Sequence, residues 1–513
     1  MPSEVCHVGL LDVSGIQSFV FRSGKLKDVA SASAQIEALS DLTDGLIAVE
    51  ARRAGAEVVA VAAGNATLTA GSADALRAAF GAISRTLLER GEGLQIVCAL
   101  CEYAPGGLAR ACLAAQRDLE RRKLTQPRST NFQFPGCTRS YPSIAPMPPR
   151  AARWRVPEGW AEPQELDEML GASGQEFGLM AVVSVDGIGM GKRLIKWAED
   201  CGYLYASSAE DDATFAAEYA AWSESLKRRW RTAWERTLDS LAGQFAPDFV
   251  MLHGSQTLRA NHDREHYSYL PCRRIYHGGD DLCFACDARV ALGMAAHLVR
   301  TLEALPPGEG VPKQFHDITA GIGVVFVDSH FPFVRAVQLS GAVLKQAKKK
   351  AVGDDAERPP SAVDWWVNRT GAMEREPAPF TLKPYLLGSG TSPGDWGRLD
   401  WATLEQHILG GLSETYAGAR NKLKDLLEAA EEGPINVKRL LRLRPLEGGA
   451  TSLGFVQAPY DSSTGFKTGA TADSGFRTPL LDAGELYDFH FPFNALCGTN
   501  NLEDVGGTDA PQD

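Results

Sequence analysis

The sequence predicts an α+β protein made of two ferredoxin-like βαββαβ units followed by a mainly helical C-terminal region. Three observations predict it. Strand and helix patterns alternate in the order βαββαβ between His7 and Leu100. The same order returns between Phe177 and Val327. Beyond about Ser361 the apolar spacing changes to a helical one.

In the first unit, His7 to Val13 is a short apolar strand that reaches Asp12. Ser33 to Ala54 has apolar residues at Ile36, Leu39, Leu42 and Leu46, the spacing of one helix face. Glu57 to Ala63 and Ala66 to Thr69 flank Gly64-Asn65, a hairpin signal. Ser72 caps a helix running to Arg90, and Leu94 to Leu100 closes the unit as a strand. A helix over Leu108 to Lys123 follows. Leu124 to Pro163 is rich in Pro, Arg and Ser and reads as a linker or small insert.

The second unit opens with Phe177 to Asp186, a nearly continuous apolar run of the kind buried on both faces, ending in an acid. Gly187-Ile-Gly-Met-Gly191 is a glycine-rich turn into a helix starting at Lys192. A long helix over Thr214 to Leu241 lies in an insert. Arg274 to Cys286 then reads as a hairpin whose turn is Gly278-Gly279-Asp280-Asp281. A helix over Arg289 to Leu305, a strand over Asp317 to Val327 and a helix opened by Pro332 and running to Lys350 complete it. In the C-terminal region, Trp401 to Leu409 and Ser413 to Ala430 read as helices, with Asp400 as a cap for the first. Gly498 to Asp513 reads as a frayed tail.

Composition bounds the function. The 513 residues are 44% hydrophobic and 23% charged, as in a globular protein of several domains. No apolar run approaches the roughly 20 residues that span a bilayer, and the N-terminus carries no signal-peptide pattern, so a cytoplasmic location without membrane contact is expected. The formal charge of −12 argues against binding nucleic acid chiefly through phosphates. Basic stretches occur at Arg121–Lys123, Lys348–Lys350 and Lys438–Arg444; the first and last read as solvated helix faces, and the middle one could hold RNA locally. Among ten cysteines, Cys98/Cys101 and Cys283/Cys286 have half-zinc-site spacing. Both pairs fall in strands, where residues three apart face opposite ways, so buried thiols are expected. Cys137 stands alone.

The chemistry concentrates in the second unit. In this topology the hairpin lies beside the first strand, which brings Asp280 and Asp281 towards Asp186. Three carboxylates at one point repel unless a cation lies among them, and hard oxygen donors suit Mg²⁺ or Mn²⁺. Gly278 and Gly279 would let a phosphate approach the turn. Gly187 and Gly189 would offer backbone N–H groups at a helix start, and Lys348 could reach a β- or γ-phosphate. An ordinary tight turn uses the same residue types. The joint arrangement suits nucleotidyl transfer.

Four stretches, in order, resemble the CRISPR-associated (Cas) protein ten family, the large subunit of type III CRISPR complexes. They are Leu11–Phe21, Val185–Lys192, His277–Leu282, and Thr319–Val325 with Gln346–Lys349. The resemblance implies a degenerate first palm domain (1–110), a helix and linker (111–175) and a catalytic second palm (176–355). It further implies a mainly helical C-terminal domain (356–497) and a tail (498–513). It implies synthesis of cyclic oligoadenylate, or a related cyclic nucleotide messenger, from ATP in antiviral defence. Asp186, Asp280 and Asp281 would be catalytic metal ligands for Mg²⁺ or Mn²⁺. Gly278, Gly279, Gly187, Gly189 and Lys348 would bind the nucleotide. Partners would be guide (crRNA) and target RNA, other Cas subunits and an effector reached through the messenger. Two departures stand out: Ile188 occupies the place where the family often has a second acid, and the sequence opens on the first palm without an HD nuclease domain. Two rival readings remain open: a catalytically idle structural subunit, and a GGDEF-type cyclic dinucleotide synthase.

Overall fold

The computed structural model describes residues 5–21, 26–62, 64–89, 94–125, 154–170, 178–246, 248, 250–253, 256–262, 267–352, 359–368, 380–387, 400–468 and 476–493. The expected linker falls largely, and Cys137 and the tail wholly, outside these residues.

In the first unit β1 (Cys6–Ser14) is followed by α1 (Leu26–Leu39), α2 (Leu46–Arg53), β2 (Glu57–Ala62), β3 (Asn65–Ala70), α3 (Ala73–Glu89) and β4 (Gln95–Tyr103). The strands form an antiparallel sheet in the order β2-β3-β1-β4. α4 (Leu108–Thr125) follows and packs on β1 and β4. The single helix expected over Ser33 to Ala54 is broken in two. Asp41 Oδ1 accepts from the N–H groups of Thr43 and Asp44 at 2.8 and 2.9 Å, a local turn that competes with helix.

The second unit contains β5 (Leu179–Gly187), α5 (Met190–Asp200), the 34-residue α6 (Ala209–Ala242), β6 (Cys272–His277) and β7 (Asp281–Asp287). It continues with α7 (Ala291–Ala304), β8 (Ala320–Asp328) and α8 (Phe333–Val352). Its sheet has the order β6-β7-β5-β8, the same as in the first unit, and is then extended by β9 (Ser361–Val367) and β10 (Tyr385–Leu387). β9 runs parallel to β8. These two strands correct the expectation of helix after Ser361. Beyond them the region is helical, and the Asp400 side chain caps its helix by accepting from Thr403 N at 2.7 Å. The helix expected from Ser413 ends at Thr415, and a new one starts at Arg420 after a turn holding Gly418 at φ 68°.

Residue alternation assigns the sheet faces. Along β5, Met180 and Val182 join a core shared with α1, α3 and α8, whereas Ala181, Val183 and Val185 join the core beneath α6, α7 and the C-terminal helices. Both faces are covered, which is why the strand is apolar at nearly every position. The Cys283/Cys286 pair behaves as expected of strand residues, with Cys283 in the first of these cores and Cys286 in the second, whereas Cys98 and Cys101 are only partly buried. The first core also takes Leu11, Val13 and Leu68 of the first sheet, so the two units share one interior.

Candidate active site at the glycine–aspartate turn

The Gly278–Asp281 turn joins β6 to β7 at the end of the sheet where β5 also ends. In register, Asp281 lies opposite Asp186 on one side of β5, and Gly321 of β8 lies opposite Asp186 on the other. Gly187 N donates to the Asp280 carbonyl at 2.9 Å, which fixes the turn against the strand. Gly279 has φ 82°, a conformation that favours glycine, and a side chain there would come within 3.5 Å of Ala62 of the first unit. The turn therefore sits where the two units meet.

By alternation, Asp186 and Asp281 point to the face covered by α8, as do Gly321 and Gly323. A Cβ at Gly323 would come within 2.3 Å of Leu344 N, and one at Gly321 within 2.5 Å of Lys348 Cγ. These two glycines, whose significance the sequence reading missed, let α8 lie close on β8. That approach delivers Lys348. Its ammonium donates to Asp186 Oδ2 at 2.6 Å and to the Gly187 carbonyl at 2.7 Å.

The remaining carboxylates are electrostatically stressed. Burial, then the charge of Asp186, pushes the Asp280 carboxyl up to about 6. Burial, then the charges of Asp280 and Asp186, raises Asp281 well above the carboxylate range. Asp281 Oδ1 is buried and has no hydrogen-bond partner. His277, just before the turn, packs edge-on against Trp154 at 4.9 Å. Burial, then Arg274, lowers its pKa to about 3, so it is neutral. Arg274 lies 4.0 Å over the Trp154 ring and pairs with Glu37 of α1, tying the edge strand β6 to the first unit. Position alone, next to the glycines, would have flagged His277; nothing in the sequence linked Trp154 to it.

The structure brings Asp186, Asp280, Asp281, Gly187, Gly278, Gly279 and Lys348 to one end of the sheet. Three expectations change in detail. Lys348 faces Asp186, where an outward phosphate contact was expected. Two N–H groups of the glycine-rich turn are engaged, Gly187 with Asp280 and Ile188 with the Thr319 carbonyl at 2.8 Å, so Gly189 and the start of α5 carry what that turn can offer. The three carboxylates share a neighbourhood but not a point: among the described residues no group of three His, Cys, Asp or Glu side chains is arranged to hold a metal ion. Asp186 is instead paired with Lys348. The chemistry of the turn nevertheless fits a hard dication at Asp280 and Asp281, since a cation would satisfy the unpartnered Oδ1 and relieve the repulsion. Ile188 is 2% exposed and packs with Ala351 and Ala362, so an acid there would be buried in apolar contacts.

An antiparallel sheet of this order, with glycines and paired acids at the turn beside its first strand, defines a palm-type domain. Residues 179–356 match the family described as Cas10/Cmr2, second palm domain. Over that segment, about a third of its length, the chain is similar to the Cas10/Cmr2 family, as its motifs led us to expect. No curated protein matches the sequence. Among solved structures, Csm1 from T. onnurineus aligns at a TM-score of 0.57 and 15% identity, covering 94% of this chain and 69% of that one. The Csm1–Csm4 cassette in complex with AMPPNP aligns at 0.55 and 15%, covering 95% and 69%. The same cassette with cA4 aligns at 0.56 and 14%, again covering 95% and 69%. At these identities the likeness concerns the fold. Among the described residues no helix is long and apolar enough to cross a membrane.

Proposed function

We propose that the chain is a type III CRISPR large subunit whose second palm joins ATP into a cyclic oligoadenylate or a related cyclic nucleotide. Its two units are read as ferredoxin-like palms spanning about 1–110 and 176–355. The observation that carries the proposal is the acidic turn: two adjacent carboxyls forced towards protonation, one with a buried unpartnered oxygen, opposite a third acid on the neighbouring strand.

Asp280 and Asp281 would hold Mg²⁺ or Mn²⁺, with Asp186 beside them. The ion would neutralise charge on the α-phosphate and make a ribose hydroxyl a better nucleophile. The chain's own residues do the positioning. Gly278 and Gly279 keep the turn low enough for phosphate to approach. Gly189 and the N-terminus of α5 present N–H groups and the positive end of the helix dipole. A ribose hydroxyl then forms a bond to the α-phosphorus as the bond to the pyrophosphate oxygen breaks. That similar structures are a Csm1–Csm4 cassette with AMPPNP and with cA4 supports both a nucleotide ligand and a partner subunit for this chain. Guide and target RNA, a messenger-responsive effector and a cytoplasmic setting belong to the same proposal.

The test is to incubate the purified protein with each nucleoside triphosphate and Mg²⁺ or Mn²⁺, with and without a guide–target RNA complex, and to identify products by mass. ATP-dependent product is expected. D280A/D281A should lower its formation by roughly 10²–10³-fold or more. The idle-subunit reading is favoured by the Lys348–Asp186 pair and by buried Ile188. It would be supported by absence of turnover under every condition with RNA co-purifying. A cyclic dinucleotide made without RNA would point to the GGDEF-type alternative.

A further inference from the structure

The two units contain the same clasp. In the first, Asp12 near the end of β1 lies opposite Asn65 of β3. In the second, Asp186 near the end of β5 lies opposite Asp281 of β7. Val13 N donates to the Gly64 carbonyl at 2.9 Å, and Gly187 N donates to the Asp280 carbonyl at 2.9 Å. Register and backbone bonding therefore equate Asp12 with Asp186, Gly64 with Asp280 and Asn65 with Asp281. Each first-strand aspartate is then held by a lysine from the helix that follows the fourth strand. Lys123 of α4 donates to Asp12 Oδ2 at 2.5 Å, and Lys348 of α8 donates to Asp186 Oδ2 at 2.6 Å.

The first unit has neither turn acid, with Gly64 and Asn65 in their places, yet has the lysine–aspartate pair. A lysine whose task was to bind triphosphate would have no reason to persist there. We propose that Lys348 is a positioning residue: it holds Asp186 and the end of β5 by a clasp that belongs to the repeated unit, and it acts on the nucleotide through Asp186. A second feature supports this. The Lys348 stem crosses β8 over Gly321, the residue paired with Asp186, and a Cβ there would come within 2.5 Å of Lys348 Cγ. The path of the side chain is built to reach the neighbouring strand. Its second contact, to the Gly187 carbonyl, fastens the strand end that also carries the turn.

The assignment rests on the nucleotidyl-transfer reading for its kinetic consequence but not for its structural one, and two readouts keep these apart. The first is thermal unfolding of the protein without nucleotide or metal. K123M and K348M should each lower the midpoint by roughly 1–3 °C, as expected for half-exposed pairs in a chain of this size. D186N/K348M should fall short of the sum of its single variants, and D12N/K123M likewise. The second is turnover. K348M should lower kcat about tenfold, as loss of a residue that orients a ligand does, while KM for ATP stays within about twofold. K348R should recover most of the loss, G321A should reproduce the K348M loss by displacing the stem, and K123M should leave kcat per folded molecule unchanged. A KM raised about tenfold in K348M with kcat intact would make Lys348 a phosphate ligand and overturn the proposal. So would additive midpoint shifts in both pairs. If the parent protein makes no product, the reading of its function fails, and the thermal cycles alone decide the clasp.

Discussion

The two units share the order of four strands and a lysine–aspartate clasp; the second adds β9, β10 and the long α6, and at the turn beside the first strand the two differ in chemistry. The first crosses from β2 to β3 through Gly64 with Asn65 at the strand start; the second crosses from β6 to β7 through two glycines and two aspartates. At the equivalent of Asp281 the first unit has an amide, which needs no counter-ion. The second keeps a carboxylate whose Oδ1 is buried without a partner. What the units share is what the fold requires, and what only the second keeps costs stability in the absence of a ligand. The turn acids are therefore the part that needs a functional explanation.

The comparison can be broken first by making the second unit like the first. D281N should abolish product formation, a fall of roughly 10² or more, while raising the thermal midpoint of the metal-free protein, since an ionisable group stranded by burial is removed. A midpoint that drops would mean the carboxylate has a structural partner. Next in size is G323A. Its Cβ would meet the α8 backbone within 2.4 Å at both Leu344 N and Ser340 O, so a loss of about 1–3 kcal/mol, or more, is expected in denaturant unfolding. An unchanged stability would show that α8 shifts freely and that the route of Lys348 is not fixed by close packing.

A smaller effect concerns pH. Asp280 titrates near 6 in the folded protein, above its ordinary range, so the folded state binds the proton more tightly than the unfolded chain does. The associated stability is fully present below roughly pH 4, the unfolded value. It declines as pH rises to about 6 and is absent above that. The stability difference between the parent protein and D280N, followed from pH 3.5 to 7.5 (roughly the span around both values), should show that decline and then level off. A flat difference would place Asp280 in water. Mn²⁺ added above the upper value should restore stability to the parent and not to D280A/D281A.

Much of this contrast was legible in the residues. The repeated element order and the acidic turn followed from apolar periodicity and from Gly278–Asp281, and the family resemblance from four stretches taken in order, from Leu11–Phe21 to Gln346–Lys349. The break at Asp41 was missed because a side-chain-to-backbone turn leaves the apolar spacing of Ile36, Leu39, Leu42 and Leu46 intact. Strand β9 was missed because Ser361–Val367 is short and buried on the sheet, where a strand and a helix segment look alike. The Lys348–Asp186 contact depends on how closely α8 lies on β8, and so on two glycines whose role appears only when the helix is in place. The lysine was legible as a member of the site, but its direction was not.

The most direct test of the central claim is pyrophosphate release from ATP by the parent protein and by D281N, side by side with Mg²⁺ or Mn²⁺ and a guide–target RNA complex. The account predicts release by the parent and none by D281N at equal folded concentration. Equal rates from the two, or silence from the parent under each of these conditions, would contradict it.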